Sequence, residues 1–486
     1  MKIHLKCLLL FLSVTFYYAS AQNKNVGDVT KLKEEAIRNI QSGYPVYKDI
    51  ALQIWNYAEV GYKEEKSSAL LQKTVSDNGF TVKAGIVGMP TGFIASYGSG
   101  KPVIAILAEF DALPGLSQEA LPEKKSIEGK NAGHGCGHNL FGTASVAAAI
   151  EIKKMLAAKK FTGTIRVYGT PAEEGGDGKV YMVRDGLFND VDVVIHWHPG
   201  DKNAVTMDKT LAIVSAKFRF HGISSHASAS PERGRSALDA VEAMDNMVNM
   251  MREHVPQETR IHYVITNGGK APNVVPDFAE VFYYVRNPDK ALVQSIFERV
   301  VKASRGAAMG TETTSDFEII SGSYDLLINN TLAMAMQKNL EKVGGVTYTP
   351  QEIEFGKKLQ STFGFKYPAI ESAATVQLLK QDDAEGKAST DVGDVSWTVP
   401  TVGLNAATWI PGTSAHSWQA VACGGNEIGI KGLIVAAKTI TLTAIDLYTD
   451  PSLIVKAKDE FIKARGNNFQ YKALLGDRKP ALNYRD

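Results

Sequence analysis

The sequence has very little cysteine and almost no net charge. Its 486 residues include three cysteines. The two that lie beyond the N-terminal segment, Cys136 and Cys423, are too far apart in sequence for a disulfide framework. Lysine and arginine number 53 against 52 for aspartate and glutamate, so the charge balance gives no reason to expect nucleic acid or an anionic membrane as a partner. Repeats and low-complexity segments are also absent. A disulfide-rich module and a nucleic-acid-binding protein are therefore excluded.

The composition is that of a large globular protein. Hydrophobic residues make up 44% of the chain and charged residues 22%, which is far too apolar for intrinsic disorder. A chain of this length is expected to form two or three domains, each large enough to bury a core of its own.

Residues 1–21 have the features of a secretory signal peptide. A basic start precedes the apolar run Cys7–Tyr18, and a small-residue pattern ending at Ala21 suits signal peptidase, with Gln22 as the new N-terminus. The run is short for a bilayer span, so a retained anchor is the weaker alternative. No later stretch is expected to be apolar enough to cross a membrane. We therefore expect a protein exported to the periplasm or the extracellular space.

Two patterns of secondary structure divide the rest of the chain. Short apolar strands alternate with helices through most of it, which predicts an α/β domain with a mainly parallel sheet. Between its two parts, a βαββαβ order predicts a ferredoxin-like unit inserted into that domain. The expected divisions are 22–209 and 322–450 for the larger domain, 210–321 for the insertion, and 451–486 for a C-terminal helix and tail.

Five short stretches follow predicted strands or open predicted loops. They are Ala108–Gly115, Gly133–Asn139, Thr170–Gly176, Ile195–Pro199 and Ala415–Trp418. Ligands bind at the carboxyl ends of strands in open α/β sheets, so these stretches are candidates for one common site. Taken singly, the acidic pairs would also suit solvated loops, and the histidine of the last stretch would be unremarkable.

The residue types in these stretches are those of a hydrolytic metal site. Cys136 and His138 lie among glycines and offer a thiolate and an imidazole, which suit zinc and similar divalent ions. Glu173 and Glu174 are adjacent, so one can bind metal while the other faces the substrate as a general base. The last two stretches add further imidazoles. Together they predict a hydrolytic centre with two metal ions.

The ordered motifs of the chain resemble those of the M20 family of metallopeptidases. They read FDALPG, GHGCGHN, PAEEGG, WHP, SSHASASPERGRSALDA, NVVP, STDVGDVSW and HSW, and they extend over about Leu32 to Leu447. Within the family they are most similar to the amidohydrolase subfamily and its aminobenzoyl-glutamate utilisation group. The resemblance implies a zinc-peptidase-like catalytic domain with an inserted dimerisation or lid domain.

The resemblance also implies roles for individual residues. The implied metal ligands are Cys136, His138, Glu174, His198 and His416. Glu173 falls at the position of the general base, and Asp111 at that of an aspartate that orients a ligand. His196 is the alternative to His198, because many members have His-x-x-Pro where the aminobenzoyl-glutamate group has Trp-His-Pro. Asn139 departs from the aspartate of many members. The implied cofactors are one or two divalent ions, Zn²⁺ or Mn²⁺.

Three residues of the inserted domain have counterparts in the family. His226 matches a histidine that reaches the active site of a partner subunit. Asn273 and Arg286 lie near positions that bind the substrate carboxylate, although Asn273 also suits a plain turn and Arg286 a surface charge. A homodimer is therefore implied, with a related A-type subunit as another possible partner.

The implied activity is metal-dependent hydrolysis of the amide bond of an N-acyl amino acid. The first candidate substrate is p-aminobenzoyl-glutamate. A general N-acyl-amino-acid or dipeptide hydrolase is the alternative of the same chemistry. A binding protein that has kept the fold without catalysis is the alternative from a different class, and the presence of every ligand type and of the general base argues against it.

Overall fold

The protein is built on two large β-sheets with helices packed against them, and β4 and β5 form a small third sheet. The computed structural model describes residues 29–379, 386 and 388–485, and the expected signal peptide lies outside them. The helices are α1 (29–42), α2 (Tyr44–Tyr57), α3 (Glu65–Asp77), α4 (His138–Ala157), α5 (Gly178–Arg184), α6 (Ala237–Met251), α7 (Lys290–Gly310), α8 (Asn330–Val343), α9 (Pro350–Gln360), α10 (Val392–Ser396), α11 (Trp418–Gly424), α12 (Glu427–Thr449) and α13 (Pro451–Arg465). The strands are β1 (Thr81–Ala84), β2 (Phe93–Ser99), β3 (Val103–Ala108), β4 (Leu113–Pro114), β5 (Ala132–Gly133), β6 (Gly163–Gly169), β7 (Val193–Gly200), β8 (Ala204–Val205), β9 (Ala212–His221), β10 (Arg260–Asn267), β11 (Phe278–Asn287), β12 (Thr314–Ser323) and β13 (Thr401–Ala407).

The larger sheet has the strand order β1-β2-β6-β3-β7-β13-β8. Its four central strands, from β6 to β13, run parallel, and the outer pairings are antiparallel. Strand β3 reads Val-Ile-Ala-Ile-Leu-Ala and is buried along its whole length, as expected of a strand covered on both faces. The predicted α/β fold is confirmed, in the form of a mixed sheet with a parallel centre.

Helices α4 and α12 pack against each other in the core beside this sheet. Within the described part of the chain, α12 alone is long and apolar enough to cross a membrane by length and composition. In its most apolar window, however, 89% of the residues are buried inside the protein. The expectation that no later stretch has such a composition is wrong, because a helix buried on nearly every side must be apolar all round, like a spanning one.

The smaller sheet is antiparallel, with the order β10-β11-β9-β12. Residues of β11 alternate between buried and half-buried, as expected when one face of a sheet is covered. Helices α6 and α7 pack on the sheet, and together they form a second hydrophobic core. This order of strands and helices is the ferredoxin-like arrangement that the sequence pattern predicted. We refer to the unit formed by β9–β12, α6 and α7 as the lid.

The parallel centre of the larger sheet brings four of the five polar stretches to one edge, and the fifth, residues 133–139, leads into α4. Residues 108–115 follow β3, and residues 170–176 follow β6. Residues 195–199 lie in the last part of β7, and residues 415–418 lie beyond β13. Because the carboxyl ends of parallel strands meet at the same edge, these stretches converge.

The chain continues beyond α13 as a non-helical segment at 466–485, which we call the C-terminal tail. It is fastened to the larger domain by hydrogen bonds. The Tyr471 hydroxyl donates to Asp394 Oδ1 at 2.7 Å, and Arg184 Nη1 of α5 donates to the Arg478 carbonyl oxygen at 2.7 Å. The tail therefore runs beside α5, the helix that follows the acidic Thr170–Gly176 stretch.

Candidate metal centre

Side chains from all five polar stretches meet at this edge of the sheet. Three groups of possible metal ligands have all their ligand atoms within 4.8 Å of one another: Cys136, His138 and His198; Cys136, Glu174 and His416; and Glu109, His138 and Glu173. Cys136 belongs to two of these groups, and its Sγ lies 3.3 Å from His198 Nε2. Cys136 Sγ would therefore be available to an ion held by either group.

Glycine shapes the loop that carries Cys136 and His138. Gly137 between them has a φ of +77°, and a Cβ at this position would lie 2.7 Å from Pro199 Cβ. Both the left-handed conformation and the lack of space require glycine. His138 is the first residue of α4. The tight turn therefore holds the thiol and the imidazole together where the helix begins.

His138 lies between two carboxylates. Its Nδ1 is 2.9 Å from Asp111 Oδ1, and its Nε2 is 3.1 Å from Glu109 Oε2. Asp111 also accepts a hydrogen bond from the backbone N–H of Glu174 at 3.0 Å. Burial raises the pKa of Asp111, but His138 and this N–H outweigh it and hold the pKa below its usual value. Asp111 thereby fixes the imidazole ring and leaves Nε2 for a metal ion.

Glu173 and Glu174 lie in a tight turn after β6. Ala172 and Gly175 on either side have positive φ values of 57° and 92°, an uncommon conformation for the alanine. The two carboxylates belong to different ligand groups, and Glu174 Oε1 lies 3.1 Å from His416 Nε2. The turn therefore lets adjacent residues take different roles.

The electrostatic surroundings also distinguish the two glutamates. Burial raises the pKa of Glu173 well above its usual value, and the charges of Glu109 and Glu174 raise it further. Burial acts in the same direction on Glu174, but hydrogen bonding to His416 and the charge of His138 outweigh it and lower the pKa. Glu174 is thus suited to stay ionised and bind a cation, whereas Glu173 is suited to accept and hold a proton.

Of the two histidines at the end of β7, His198 is the one that faces Cys136. Its Nδ1 lies 2.7 Å from the Pro199 carbonyl oxygen, so Nδ1 carries the proton and Nε2 is free to act as a ligand. His196 instead packs against Gly403 of the neighbouring β13 and is in none of the ligand groups formed by described residues. Burial lowers the pKa of His198 to about 4 and that of His196 to about 3, so both rings are neutral. The geometry favours His198 as the ligand.

A metal ion fits this set of residues. Glu109 Oε2, His138 Nε2 and Glu174 Oε1 are buried in ion-pair contacts, 3.1 Å between the first two and 3.1 Å from the third to His416 Nε2, that lack the geometry of full hydrogen bonds, and each of these residues belongs to a ligand group. An unsatisfied buried polar atom costs roughly 1–3 kcal/mol, and a divalent cation between them would remove that cost. Thiolate, imidazole and carboxylate together are a donor set typical of zinc and similar ions.

Among the described residues, no hydrogen bond or ion pair joins the three lid residues to this cluster. His226 and Asn273 are neighbours on exposed segments, where the N–H of residue 227 donates to the Asn273 carbonyl oxygen at 3.0 Å. Arg286 on β11 contacts the ring of Tyr284, and its Nε is buried without a partner. His226 belongs to no ligand group among the described residues.

A buried ion-pair network behind the centre was missed by the sequence reasoning. The Lys179 side chain is 0% exposed, and its Nζ lies 2.7 Å from Glu109 Oε1 and 2.6 Å from Asp391 Oδ1. Burial lowers the pKa of Lys179, but the charges of Asp391 and Glu109 outweigh it, so the lysine stays protonated. The sequence feature that indicates such a network is Lys179 itself, a lysine in a short apolar segment directly after the acidic turn.

Asn139 has a structural role at the position where many relatives carry aspartate. Its Nδ2 donates to the carbonyl oxygens of Ala51 in α2 and Gly424 in α11, at 3.2 and 3.1 Å. An aspartate could not donate these bonds. Asn139 therefore ties two helices to α4.

Shared ligands, a proton acceptor beside them and an open α/β sheet together define a metal-dependent hydrolase. Comparison with known proteins agrees. The B-type subunit of the p-aminobenzoyl-glutamate hydrolase of Escherichia coli (strain K12) is 41% identical over 439 residues, which cover 85% of this chain and 91% of that protein. The Xaa-Arg dipeptidase of Mus musculus is 28% identical over 91% of this chain and 95% of its own length.

A solved structure and a family model complete the comparison. A dinuclear metal-binding M20 peptidase from Bacillus subtilis shares the fold with a TM-score of 0.59 at 17% identity, covering 84% of this chain and 99% of its own. The model of peptidase family M20/M25/M40 matches residues 105–394. The chain belongs to this family and is a hydrolase that uses divalent metal ions.

Proposed function

We propose that the protein hydrolyses the amide bond of an N-acyl amino acid with a free carboxylate, with p-aminobenzoyl-glutamate as the first substrate. The products are then p-aminobenzoate and glutamate. The observation that carries the proposal is the division of the glutamate pair, with Glu174 beside His416 and Glu173 beside Glu109 and His138. The similarity to the B-type subunit of the Escherichia coli hydrolase supports the choice of substrate.

In this proposal Glu173 moves the proton. Divalent ions held by the ligand groups would supply the acidification of a water molecule and the polarisation of the substrate carbonyl. Glu173 takes a proton from the water, which adds to the carbonyl carbon, and then gives it to the amine nitrogen as the C–N bond breaks. Asp111 holds the ring of His138 through Nδ1. We propose two ions, bound as Zn²⁺ or Mn²⁺ by Cys136 and the residues grouped with it: His138, His198, Glu174 and His416.

A dipeptide or general N-acyl-amino-acid hydrolase is the second candidate. It is favoured by the similarity of the chain to the Mus musculus Xaa-Arg dipeptidase over nearly the full length of both proteins. The chemistry is the same, and only the acyl group and the amino acid differ. A substrate panel separates the two, because rapid cleavage of dipeptides or N-acetyl amino acids without cleavage of p-aminobenzoyl-glutamate would favour this candidate.

Release of glutamate from p-aminobenzoyl-glutamate is the direct test. We expect the mature protein to release glutamate with added Zn²⁺ or Mn²⁺ and to lose this activity with a chelator, because the metal centre supplies the acidified water. Metal added back should restore the rate. Binding of metal and substrate without hydrolysis under any metal would instead support a non-catalytic binding protein.

We also propose that the protein is a homodimer joined through the lid. Strand β10 is at the edge of the smaller sheet, and its Tyr263, Val264 and Ile265 are exposed. On α6, Met250 is 71% exposed. Exposed apolar side chains along an unpaired strand edge are typical of protein interfaces. Since no described hydrogen bond or ion pair joins the lid residues to the cluster within one chain, such a dimer would let His226 of the partner subunit complete the site.

The orientation of His226 suits this role. Its Nδ1 accepts hydrogen bonds from the backbone N–H groups of Ser228 and Ala229 at 3.3 and 3.2 Å, so Nε2 carries the proton and can donate. A donor in this position would stabilise the negative charge that develops on the substrate oxygen. Asn273 beside it and Arg286 would then bind the substrate carboxylate.

Val264→Glu tests the dimer. We expect the variant to be monomeric by light scattering and its kcat to fall by about 100-fold, the effect of losing one oxyanion donor. Val455→Glu on α13 is the matched control, because Val455 is 58% exposed and Val264 is 57% exposed. A wild-type protein that is monomeric and fully active would contradict the proposal.

Two further proposals concern the surroundings of the protein. Because the Escherichia coli relative is named as one of two kinds of hydrolase subunit, a related A-type subunit is an alternative partner. Co-purification of such a protein with the chain from its own source would establish it. The apolar run at 7–18 and the small residues after it support export, and an N-terminus at Gln22 in the mature protein would establish that.

A further inference from the structure

The end of the C-terminal tail lies against the turn that carries the catalytic glutamates. The Tyr484 hydroxyl donates to the Glu174 carbonyl oxygen at 3.1 Å, and Arg485 Nη2 donates to the same oxygen. The Tyr484 ring packs edge-on against Tyr62, with 5.7 Å between the ring centroids. Tyr62 in turn donates to the Gly176 carbonyl oxygen at 2.6 Å. Three side chains thus contact one five-residue turn through its backbone.

The contacts to Glu174 fix its backbone from both sides. Its N–H donates to Asp111 Oδ2 at 3.0 Å, and its carbonyl oxygen accepts from Tyr484 and Arg485. With both groups held, the direction of the Cα–Cβ bond is set. The carboxylate therefore points consistently toward His416, whose Nε2 is 3.1 Å from Glu174 Oε1.

The lack of a side chain at Gly61 leaves room for the tail beside the turn. A Cβ on Gly61 would lie 2.1 Å from the Tyr484 hydroxyl oxygen, so only glycine allows the tyrosine to approach so closely. The Arg485 guanidinium lies over the Tyr484 ring at 4.8 Å from its centroid, which keeps the two donors together.

We infer that Tyr484 and Arg485 are positioning residues of the metal centre, which act through the backbone of Glu174. They hold the carboxylate in the geometry that binds metal, although they are the last described residues of the chain. The turn needs such support because Ala172 has a positive φ of 57°, a conformation that alanine adopts only when its surroundings impose it. The inference rests on the proposed role of Glu174 as a metal ligand.

A chain that ends at Asn483 tests the inference, together with the double variant Tyr484→Phe/Arg485→Ala in case the shortened chain folds poorly. Titration of the metal-free proteins with MnCl₂ alone should show a Kd raised about tenfold or more, the usual effect of removing groups that orient a metal ligand. At limiting Mn²⁺, kcat should fall while KM stays unchanged.

Tyr324→Phe is the matched control. It removes another hydrogen bond to the tail, from the Tyr324 hydroxyl to the Lys472 carbonyl oxygen at 2.7 Å, and this bond is not made to the turn. The control should keep the Mn²⁺ affinity of the full-length chain even if its Tm falls as much as that of the double variant. Equal Mn²⁺ affinity in the full-length chain and the folded double variant would overturn the inference alone. A full-length chain that binds neither Mn²⁺ nor Zn²⁺ would overturn the proposed metal centre and this inference together.

Discussion

Glu173→Ala is expected to lower kcat by roughly 10²–10⁴-fold while the protein keeps its metal. Of the two glutamates in the turn, Glu174 lies beside His416, which leaves Glu173 to accept a proton. Burial and the charges of Glu109 and Glu174 raise the pKa of Glu173. Its removal leaves the attacking water without a base and the departing amine without an acid. Steady-state kinetics and metal content measured on the same preparation check both parts of the expectation.

The neighbouring residue provides the control for Glu173. Glu174→Ala should lose metal and activity together, because Glu174 is in the group with Cys136 and His416. Glu173→Gln should resemble Glu173→Ala in rate, since it keeps the size of the side chain and removes only its basicity. Retained turnover in both Glu173 variants would assign proton transfer to another group, with Glu109 as the first to examine.

Lys179→Met is expected to lower the free energy of unfolding by about 3–5 kcal/mol near neutral pH. The ammonium group is fully buried between Glu109 and Asp391. Removing it leaves two carboxylates in a site closed to water, and an uncompensated buried charge is far more costly than a lost ion pair at the surface. Urea unfolding of the metal-free protein, followed by circular dichroism, measures the loss.

An exposed lysine gives the matched control for this variant. Lys73 pairs with Asp77 at 2.6 Å, with side-chain exposures of 72% and 60%, so Lys73→Met should change the midpoint of unfolding very little. If Lys179→Met were as stable as Lys73→Met, the two carboxylates would have to be protonated in the folded protein, and the network would not be ionic.

The sequence allowed the fold and the family to be predicted because both depend on local patterns. Short apolar strands followed by helices predict a parallel sheet, and the ordered motifs match a known family from Leu32 onward. The convergence of the five stretches followed from the rule that parallel strands end at one edge. The choice between His196 and His198 could not be made in this way, because alternation places both on the same side of the strand. The contact of His198 with Cys136, and of His196 with Gly403, depends on the neighbouring segments.

Interactions between distant parts of the chain could not be predicted. Lys179 and Asp391 are 212 positions apart, and neither residue type indicates a buried partner, since both are usually exposed. The contact between Arg485 and Glu174 joins positions 311 apart. The polar C-terminal tail has no hydrophobic periodicity, so its sequence does not predict which surface it packs against. Such contacts depend on how the finished domain brings its surfaces together.

The parallel pairing of β13 with β7 has a consequence for the order in which parts of the chain can fold. Val194 of β7 pairs with Thr401 of β13, and β8 joins the sheet only through β13. The lid is encoded entirely between these two strands and can fold from contiguous chain, whereas the larger sheet must wait until residue 407 has been synthesised. His416 comes later still. The second group of metal ligands therefore cannot assemble in any N-terminal part of the chain that stops short of His416, whether the chain folds during synthesis or after export.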